Sequence, residues 1–513
     1  MRTSILVRFS ATIIMVLSAT LTAGPAEASD TSGGALPRLL DLDLAKTIAL
    51  AENPGLETVR TRLDQAAARV RQARSGYFPS VEVSTGYNRT YLPDSDVDEA
   101  RREATIGPFR GLAQQLPRTF QFAGLGNGDA SNIGRFILPQ VGGAAFNAWQ
   151  GRRAVPDRTS SYRAGVTARW LLFDGFGREQ RLRAARLGEA EIEAAYRDAQ
   201  RQLLNAVARS YYFAQLAREE IRIAESDMAF NERLLEEAQA RRREGAGSLS
   251  DELGFEVRLN AARAALINAN QDLELALITL IELIGLDPRE RPEGFALAPL
   301  PEDEDLPEDP QDAGALIEAA LSQRPDLEQQ EHAIDRAGAN VGAQRSSYYP
   351  RVSAQLSHDA VREQRSFSSD DFATSVGVDV TYEIFAGGRN RAEVAEARAA
   401  EREARWRKRE SELAVRSEVQ ERLTELRSAR ENLELQQVNA ELVRRNRDLV
   451  ERGFEVGQEP LVRVTEAQRD LVEAEGRYAF ARVSVLQAWH DLQAATGEEL
   501  APGQPGEPRE DGE

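Results

Sequence analysis

The sequence predicts a mainly α-helical chain that carries transmembrane β-structure and is laid out as two structural repeats. Three observations predict it. A long ungapped internal match duplicates the chain. Residues 180–244 and 390–452 hold almost no Gly or Pro and many Ala, Leu, Glu and Arg. Four short segments switch from helical spacing to a period of two.

The first element is an export signal. Arg2 and Arg8 precede an apolar run that ends at Ala26-Glu27-Ala28, a small-x-small pattern, so residues 1–28 read as a secretory signal peptide. The remaining chain holds no run near the ~20 apolar residues a membrane helix needs. There is no Cys in 513 residues, which excludes a disulfide framework and a lipid-modified cysteine. The net charge of −19 leaves no basic footprint for a nucleic-acid partner and suits an aqueous path that favours cations.

The first repeat covers residues 29–286 and the second 313–500. Pro79 aligns with Pro350, an offset of 271 residues, and the same offset pairs Leu50 with Leu321, Pro54 with Pro325, Arg74 with Arg345 and Tyr77 with Tyr348. Beyond the strands Phe173 aligns with Phe385, an offset of 212, which also pairs Gly245 with Gly457 and Gly285 with Gly497. The first copy therefore carries an insertion, read as a long loop over 92–160 because it is rich in Gly, Pro, Asn and Asp. Residues 287–312 form a Pro-rich acidic linker, and 501–513 a disordered tail.

Each copy runs helix, strand, loop, strand, long helix, turn, helix. The opening helices stop at Pro79 and Pro350, where proline lacks an N–H and clashes with the preceding turn. The strands then alternate. Val81, Val83, Thr85, Tyr87 and Tyr91 oppose Ser80, Glu82, Ser84, Asn88 and Thr90. Tyr162, Ala164, Val166, Ala168, Trp170 and Leu172 oppose Arg163, Gly165, Thr167 and Arg169. Val352, Ala354 and Leu356 oppose Ser353, Gln355 and Ser357, and Thr374, Val376, Val378, Val380, Tyr382 and Ile384 oppose Ser375, Gly377, Asp379, Thr381 and Glu383. The long helices would each reach roughly 100 Å at ~1.5 Å per residue. Their apolar residues keep helical spacing, as in Leu203, Val207, Tyr211 and Leu216, or Leu435, Val438, Leu442 and Leu449.

Such alternation fits a sheet lying on its own core or a barrel with lipid outside and water inside. The export signal, the ~10-residue strand length and the aromatics Tyr87, Tyr91, Trp170 and Tyr382 near strand ends favour the barrel. Arg89 stands against it on the apolar side, at a strand end from which it could snorkel. Four strands cannot close alone, and open edges in lipid cost several kcal/mol per unpaired group. Several chains must then share the barrel, and three chains of four strands give an even number.

The whole pattern resembles the TolC family of outer-membrane efflux proteins. The resemblance rests on "ALAENPGLETVRTRLDQAAARVRQARSGYFPSV", on "FDGFGR", on "EGAGSLSDELGFEVRLNAARAALINAN" and on their second copies. It implies a homotrimer with a shared twelve-stranded β-barrel across the outer membrane. Long antiparallel coiled-coil helices continue it as an α-barrel through the periplasm, closed at the tip until an iris-like opening. The implied partners are a periplasmic adaptor (membrane fusion) protein, an inner-membrane pump of the RND, MFS or ABC type, and outer-membrane lipid. The implied role is a passive conduit for efflux or type I secretion.

Candidate site residues follow. Gly175, Gly177, Gly387 and Gly388 lie where strand returns to helix and unusual backbone angles are needed. Gly245, Gly247 and Gly457 read as helix C-caps opening tight turns, which in the family form the periplasmic tip. There the family places acidic groups just after the turn. The first copy matches with Asp251, while the second has Arg463, with Glu466 nearby. Arg463 departs from a purely anionic ring. It reads as a closing salt link to Asp251 or Glu466, or equally as a solvated surface charge.

His332, His358 and His490 are isolated in sequence and assemble no metal-ligand set. No nucleophile motif or phosphate loop occurs, and the acids sit at helical spacing beside Arg as wet-face pairs. The sequence thus predicts no enzyme and no cofactor. A periplasmic coiled-coil scaffold without a pore is the alternative, and it leaves the four alternating strands unexplained.

Overall fold

A computed structural model describes residues 37–91, 158–245, 247–301, 306–307, 310, 312–363 and 366–498. The signal peptide, the inserted loop up to residue 157 and the C-terminal tail lie outside the described residues. In chain order the elements are β1 (Leu39–Leu40), α1 (Leu42–Glu52), α2 (Pro54–Ser75), β2 (Ser80–Tyr91), β3 (Arg158–Phe173), α3 (Gly177–Arg243), α4 (Leu249–Leu283), β4 (Ala296–Leu297), α5 (Ala313–Gln323), α6 (Pro325–Arg345), β5 (Arg351–Arg362), β6 (Ala373–Thr381), α7 (Arg389–Glu455) and α8 (Leu461–Thr496). The chain divides into two compact units.

One unit comprises residues 1–66, 188–333 and 404–513. Its cores repeat. Val207, Tyr211 and Ala214 of α3 are buried with α1, α4 and α8, and their repeat mates Val419, Leu423 and Leu426 of α7 are buried with α5 and α8. The opening helix of each copy is two helices rather than one. Asp41 caps α1 by accepting from the Leu44 N–H at 2.7 Å, and its repeat mate Asp312 caps α5 through Gly314 and Ala315. Each short helix then breaks before Pro54 or Pro325, because proline fits only the first helical position.

The repeat also fixes how that break packs. The Asn53 side-chain amide donates to Leu283 O at 2.7 Å, while Arg324, its mate, donates to Ala495 O at 3.1 Å. Gly285 ends the α4 turn at φ +89°, and a Cβ there would lie 2.3 Å from Glu52 O. Gly497 holds the matching place after α8 at φ +84°, against Gln323 and Arg324. Arg324 is buried, clamped by Asp326 at 2.8 Å and Glu418 at 2.6 Å. Burial alone would raise the Asp326 carboxyl, but Arg324 and then Arg201 hold it below the usual carboxylate range.

Residues 287–312, read as a linker, are strapped down in part. Residues Ala296–Leu297 pair in parallel with β1. Arg218 donates to Leu297 O at 2.8 Å, Arg482 to Pro301 O at 2.6 Å, and Arg430 to Pro307 O.

The two apolar sets keep their helical spacing but differ in burial. Val207 and Tyr211 are buried, but Leu435, Val438, Leu442 and Leu449 are exposed. Helical spacing gives one apolar face without saying what covers it.

The other unit comprises residues 67–187 and 334–403. It holds a four-stranded sheet in the order β2-β3-β5-β6, antiparallel throughout. The fourth strand ends at Thr381, so Tyr382 and Ile384 fall beyond it. There the chain turns, and Glu383 accepts from Arg389 at 2.9 and 3.1 Å.

Candidate functional site

The register of the sheet decides what its faces can do. Val83 lies opposite Val166, Val166 opposite His358, and His358 opposite Thr374. One row over, Val81, Ala168, Leu356 and Val376 form a line, and Trp170, Ala354 and Val378 another. The four alternations read from sequence thus fall in phase on one face. The opposite face lines up Glu82, Thr167, Ser357 and Ser375, with Arg169, Gln355 and Gly377 beside them. One-residue slippage in any strand would have mixed the faces. A bulge between Leu171 and Phe173 falls at the helical end.

This apolar face is uncovered. Val83 is 74% exposed, Val376 78% and Val378 64%. Each such valine forgoes about 1.5–3 kcal/mol of burial in water. A sheet lying on its own core would bury them, so that reading is set aside. Both edges, β2 and β6, have a strand on one side only. Arg89 stays at the strand end and donates to the Ser160 hydroxyl at 3.3 Å, while the Tyr87 and Tyr162 rings meet at a tilt of 38°, centroids 4.9 Å apart.

Pro79 and Pro350 each stand one residue before a strand. At the return to helix Gly175 has φ +66°, and its Cβ would meet the Tyr349 Cβ at 2.5 Å. Gly177 differs from expectation: the next positive φ belongs to Phe176, at +66°. Gly177 is needed for space, since a Cβ would lie 2.7 Å from the Ser346 hydroxyl and 2.9 Å from Asp174. In the second copy Gly387 and Gly388 both have positive φ, +62° and +89°, with open space around them.

The charges of the "FDGFGR" motif have a role that its spacing does not show. Arg178 donates to Leu171 O at 2.6 Å, Leu172 O at 2.8 Å and Gly76 O at 3.3 Å, and stands over the Tyr77 ring at 5.0 Å. Asp174 is buried and paired with Arg181 at 2.6 Å. Together they lock strand to helix. The visible signal was an acid and an arginine four apart around two glycines.

The helical turns form a second candidate site. Gly245 closes α3 at φ +76°, and its N–H donates to Arg242 O at 3.0 Å. Gly457 closes α7 at φ +77°; its N–H donates to Phe454 O and the Gln458 N–H to Gly453 O, a Schellman pair. Gly247 is not left-handed; it packs close to Arg241 and Arg242. Ser248 caps α4 by accepting from the Asp251 N–H at 3.0 Å. Of the two partners expected for Arg463, the structure shows Glu466, at 3.7 Å with both side chains exposed.

Other residues tie this region together. Phe230, Leu234, Phe255, Val450 and Val464 bring α3, α4, α7 and α8 into one small core. Arg233 pairs with Glu451 at 3.1 Å, Gln468 donates to Asp227 at 2.8 Å, and Arg241 stands over Phe454 at 4.7 Å. Arg242 and Glu252 join α3 to α4 across the first turn. Each hairpin also has a clasp of reversed polarity: Arg263 pairs back to Glu232 at 3.2 Å, while at the matching positions Glu475 accepts from Arg444 at 3.0 Å.

No helix among the described residues is long and apolar enough to cross a membrane. Long paired helices with a sheet apolar on one face define an outer-membrane protein of mixed helical and β-barrel architecture. The chain belongs to the family described as outer membrane efflux protein, whose model matches residues 136–286 and 316–498. It is 28% identical over 262 residues to the outer membrane efflux protein BepC of Brucella suis, covering 51% of this chain and 55% of that protein. It is 26% identical over 366 residues to the protein CyaE of Bordetella pertussis, covering 71% and 64%. The chain thus spans between about half and two thirds of these curated relatives. Its fold is similar to the open state of the Neisseria gonorrhoeae MtrE outer membrane channel, at TM-score 0.65 and 20% identity over 90% of this chain and 89% of that one.

Proposed function

We propose that three copies of this chain close their sheets into one twelve-stranded barrel and act as a passive conduit out of the cell. The observation that carries this is the uncovered, in-phase apolar face between two open sheet edges. In lipid the valines need no protein cover, and pairing β6 of one copy with β2 of the next satisfies every edge. The polar face then lines water. The exposed seam Leu435, Leu442 and Leu449 repeats every seven residues on α7, with Val456 one residue past its end, and Leu253, Val257 and Ile267 are exposed on α4. Such seams fit packing between neighbouring copies as an α-barrel.

Asp251, Arg463 and Glu466 are the gate candidates, at the turns marked by Gly245, Gly247 and Gly457. The charge links among α3, α4, α7 and α8 would hold the closed state. The family and its named efflux members support a tripartite role with a periplasmic adaptor and an inner-membrane pump, serving efflux or type I secretion.

The test is mass determination in mild detergent with planar-bilayer recording. A trimer that forms a narrow, cation-preferring pore is expected. A soluble monomer without conductance would return the chain to the scaffold reading.

A further inference from the structure

An open cavity of about 670 Å³ lies at the strand–helix corner of the second repeat. Arg345, Tyr348 and Tyr349 line it from the end of α6 and the turn before β5, and Arg391, Val394 and Arg398 from the start of α7. Three arginines thus line one space, and none of them has a carboxylate partner among the described residues. Like charges gathered in one cavity repel, and an anion entering it relieves that repulsion.

The first repeat is an internal control. There Arg178 fills the corresponding corner, bonded to three carbonyls and laid over Tyr77. At the 212-residue offset Arg178 corresponds to Asn390 and Asp174 to Ala386. The second copy lacks the acid, and its motif arginine, Arg389, pairs with Glu383 instead, yet Arg345 and Tyr348 still match Arg74 and Tyr77. A strand–helix return therefore does not require this opening.

The surroundings indicate the ligand. The cavity adjoins the start of β5, at the helical end of the sheet. Exposed Tyr348, Tyr349, Ile384 and Phe385 occur at this end of the second repeat's strands. If the sheet crosses the membrane as proposed above, this corner lies at the periplasmic headgroup level, where tyrosine is favoured and arginine grips phosphate through its paired donors. We propose that the cavity binds the phosphodiester headgroup of an anionic phospholipid of the periplasmic leaflet, one per chain. Basic pockets at membrane interfaces take such headgroups. The inference rests on the barrel reading.

The test uses the full chain in mild detergent and native mass spectrometry with added phosphatidylglycerol, phosphatidylcholine or inorganic phosphate. The variant is Arg345→Gln/Arg391→Gln/Arg398→Gln. A control, Arg69→Gln/Arg71→Gln/Arg74→Gln, removes the same charge from the first repeat. We expect phosphatidylglycerol to bind once per chain, at least tenfold more tightly than phosphatidylcholine, and to lose at least tenfold in affinity in the variant but not the control. Equal binding to variant and wild type would overturn the proposal. So would phosphate competing as well as the lipid, which would make the site one for the free ion. The same spectra report assembly. A monomer fails the barrel reading itself, whereas an intact oligomer that ignores phosphatidylglycerol fails only the lipid site.

Discussion

Two neighbouring residues of β6 allow a direct test of which face meets lipid. Val378 lies near the strand centre, on the apolar face opposite Ala354, and is 64% exposed. Gly377 lies on the other face opposite Gln355, and a Cβ there would meet nothing within 4 Å. An arginine on the lipid face near the midplane costs about 2–4 kcal/mol. Three copies in one barrel bring this to about 6–12 kcal/mol, an assembly penalty of roughly 10⁴-fold or more. An arginine on the water face has room and solvent and should cost little. We therefore expect Val378→Arg to abolish detergent-stable trimer in outer-membrane extracts, while Gly377→Arg assembles near the wild-type level. Equal assembly of both variants, or loss with Gly377→Arg alone, would refute the face assignment.

Gly285→Ala should cost roughly 2–5 kcal/mol, combining left-handed strain with the clash on Glu52, while Gly245→Ala, at similar φ in open space, should cost only about 1–2 kcal/mol. Thermal unfolding followed by circular dichroism checks this, and equal midpoint shifts would contradict it. The depressed Asp326 carboxyl contributes stability that is present above the ordinary Asp pKa of about 3.9 and lost as pH falls through its lower folded value. Wild type should therefore lose stability relative to Asp326→Asn only below about pH 4, and parallel acid titrations would remove the linkage. Arg463→Ala or Glu466→Ala should raise single-channel conductance if the pair helps close the tip, with an effect limited by the ~0–1 kcal/mol of an exposed pair. Unchanged conductance in both variants leaves them as surface charges.

Much of the architecture was legible because the chain states it twice. The match of Pro79 to Pro350 located both changes to strand, and the alternation of Val376, Val378 and Val380 gave the face before any register was known. Alternation alone could not show that the face lies bare, because a core-covered sheet alternates in the same way. The long helices were legible from missing glycine and proline. Their partners were not: Val207 is buried and Leu435 exposed, although both lie on apolar helical stripes. Turn glycines were visible, but Gly177 and Gly247 serve close approach rather than a left-handed backbone, a distinction that depends on neighbours distant in sequence. The latch of Arg178 onto three carbonyls and the reversed clasps at Glu232 and Arg444 depend on side-chain direction, which spacing does not give.

The central claim is closure of three sheets through β2 and β6, and cysteine cross-linking tests it most directly. The chain has no native Cys, so each introduced thiol is unique. Single cysteines at Val81, Val83 or Thr85 on one edge would be combined with Val376, Val378 or Val380 on the other, residues that share the apolar face. At the correct register, mild oxidation should give covalent dimers and then trimers, with the ladder ending there, while each single variant stays monomeric under denaturing conditions. A ladder continuing past three, or no product at any register in membranes that contain the protein, would contradict the shared barrel.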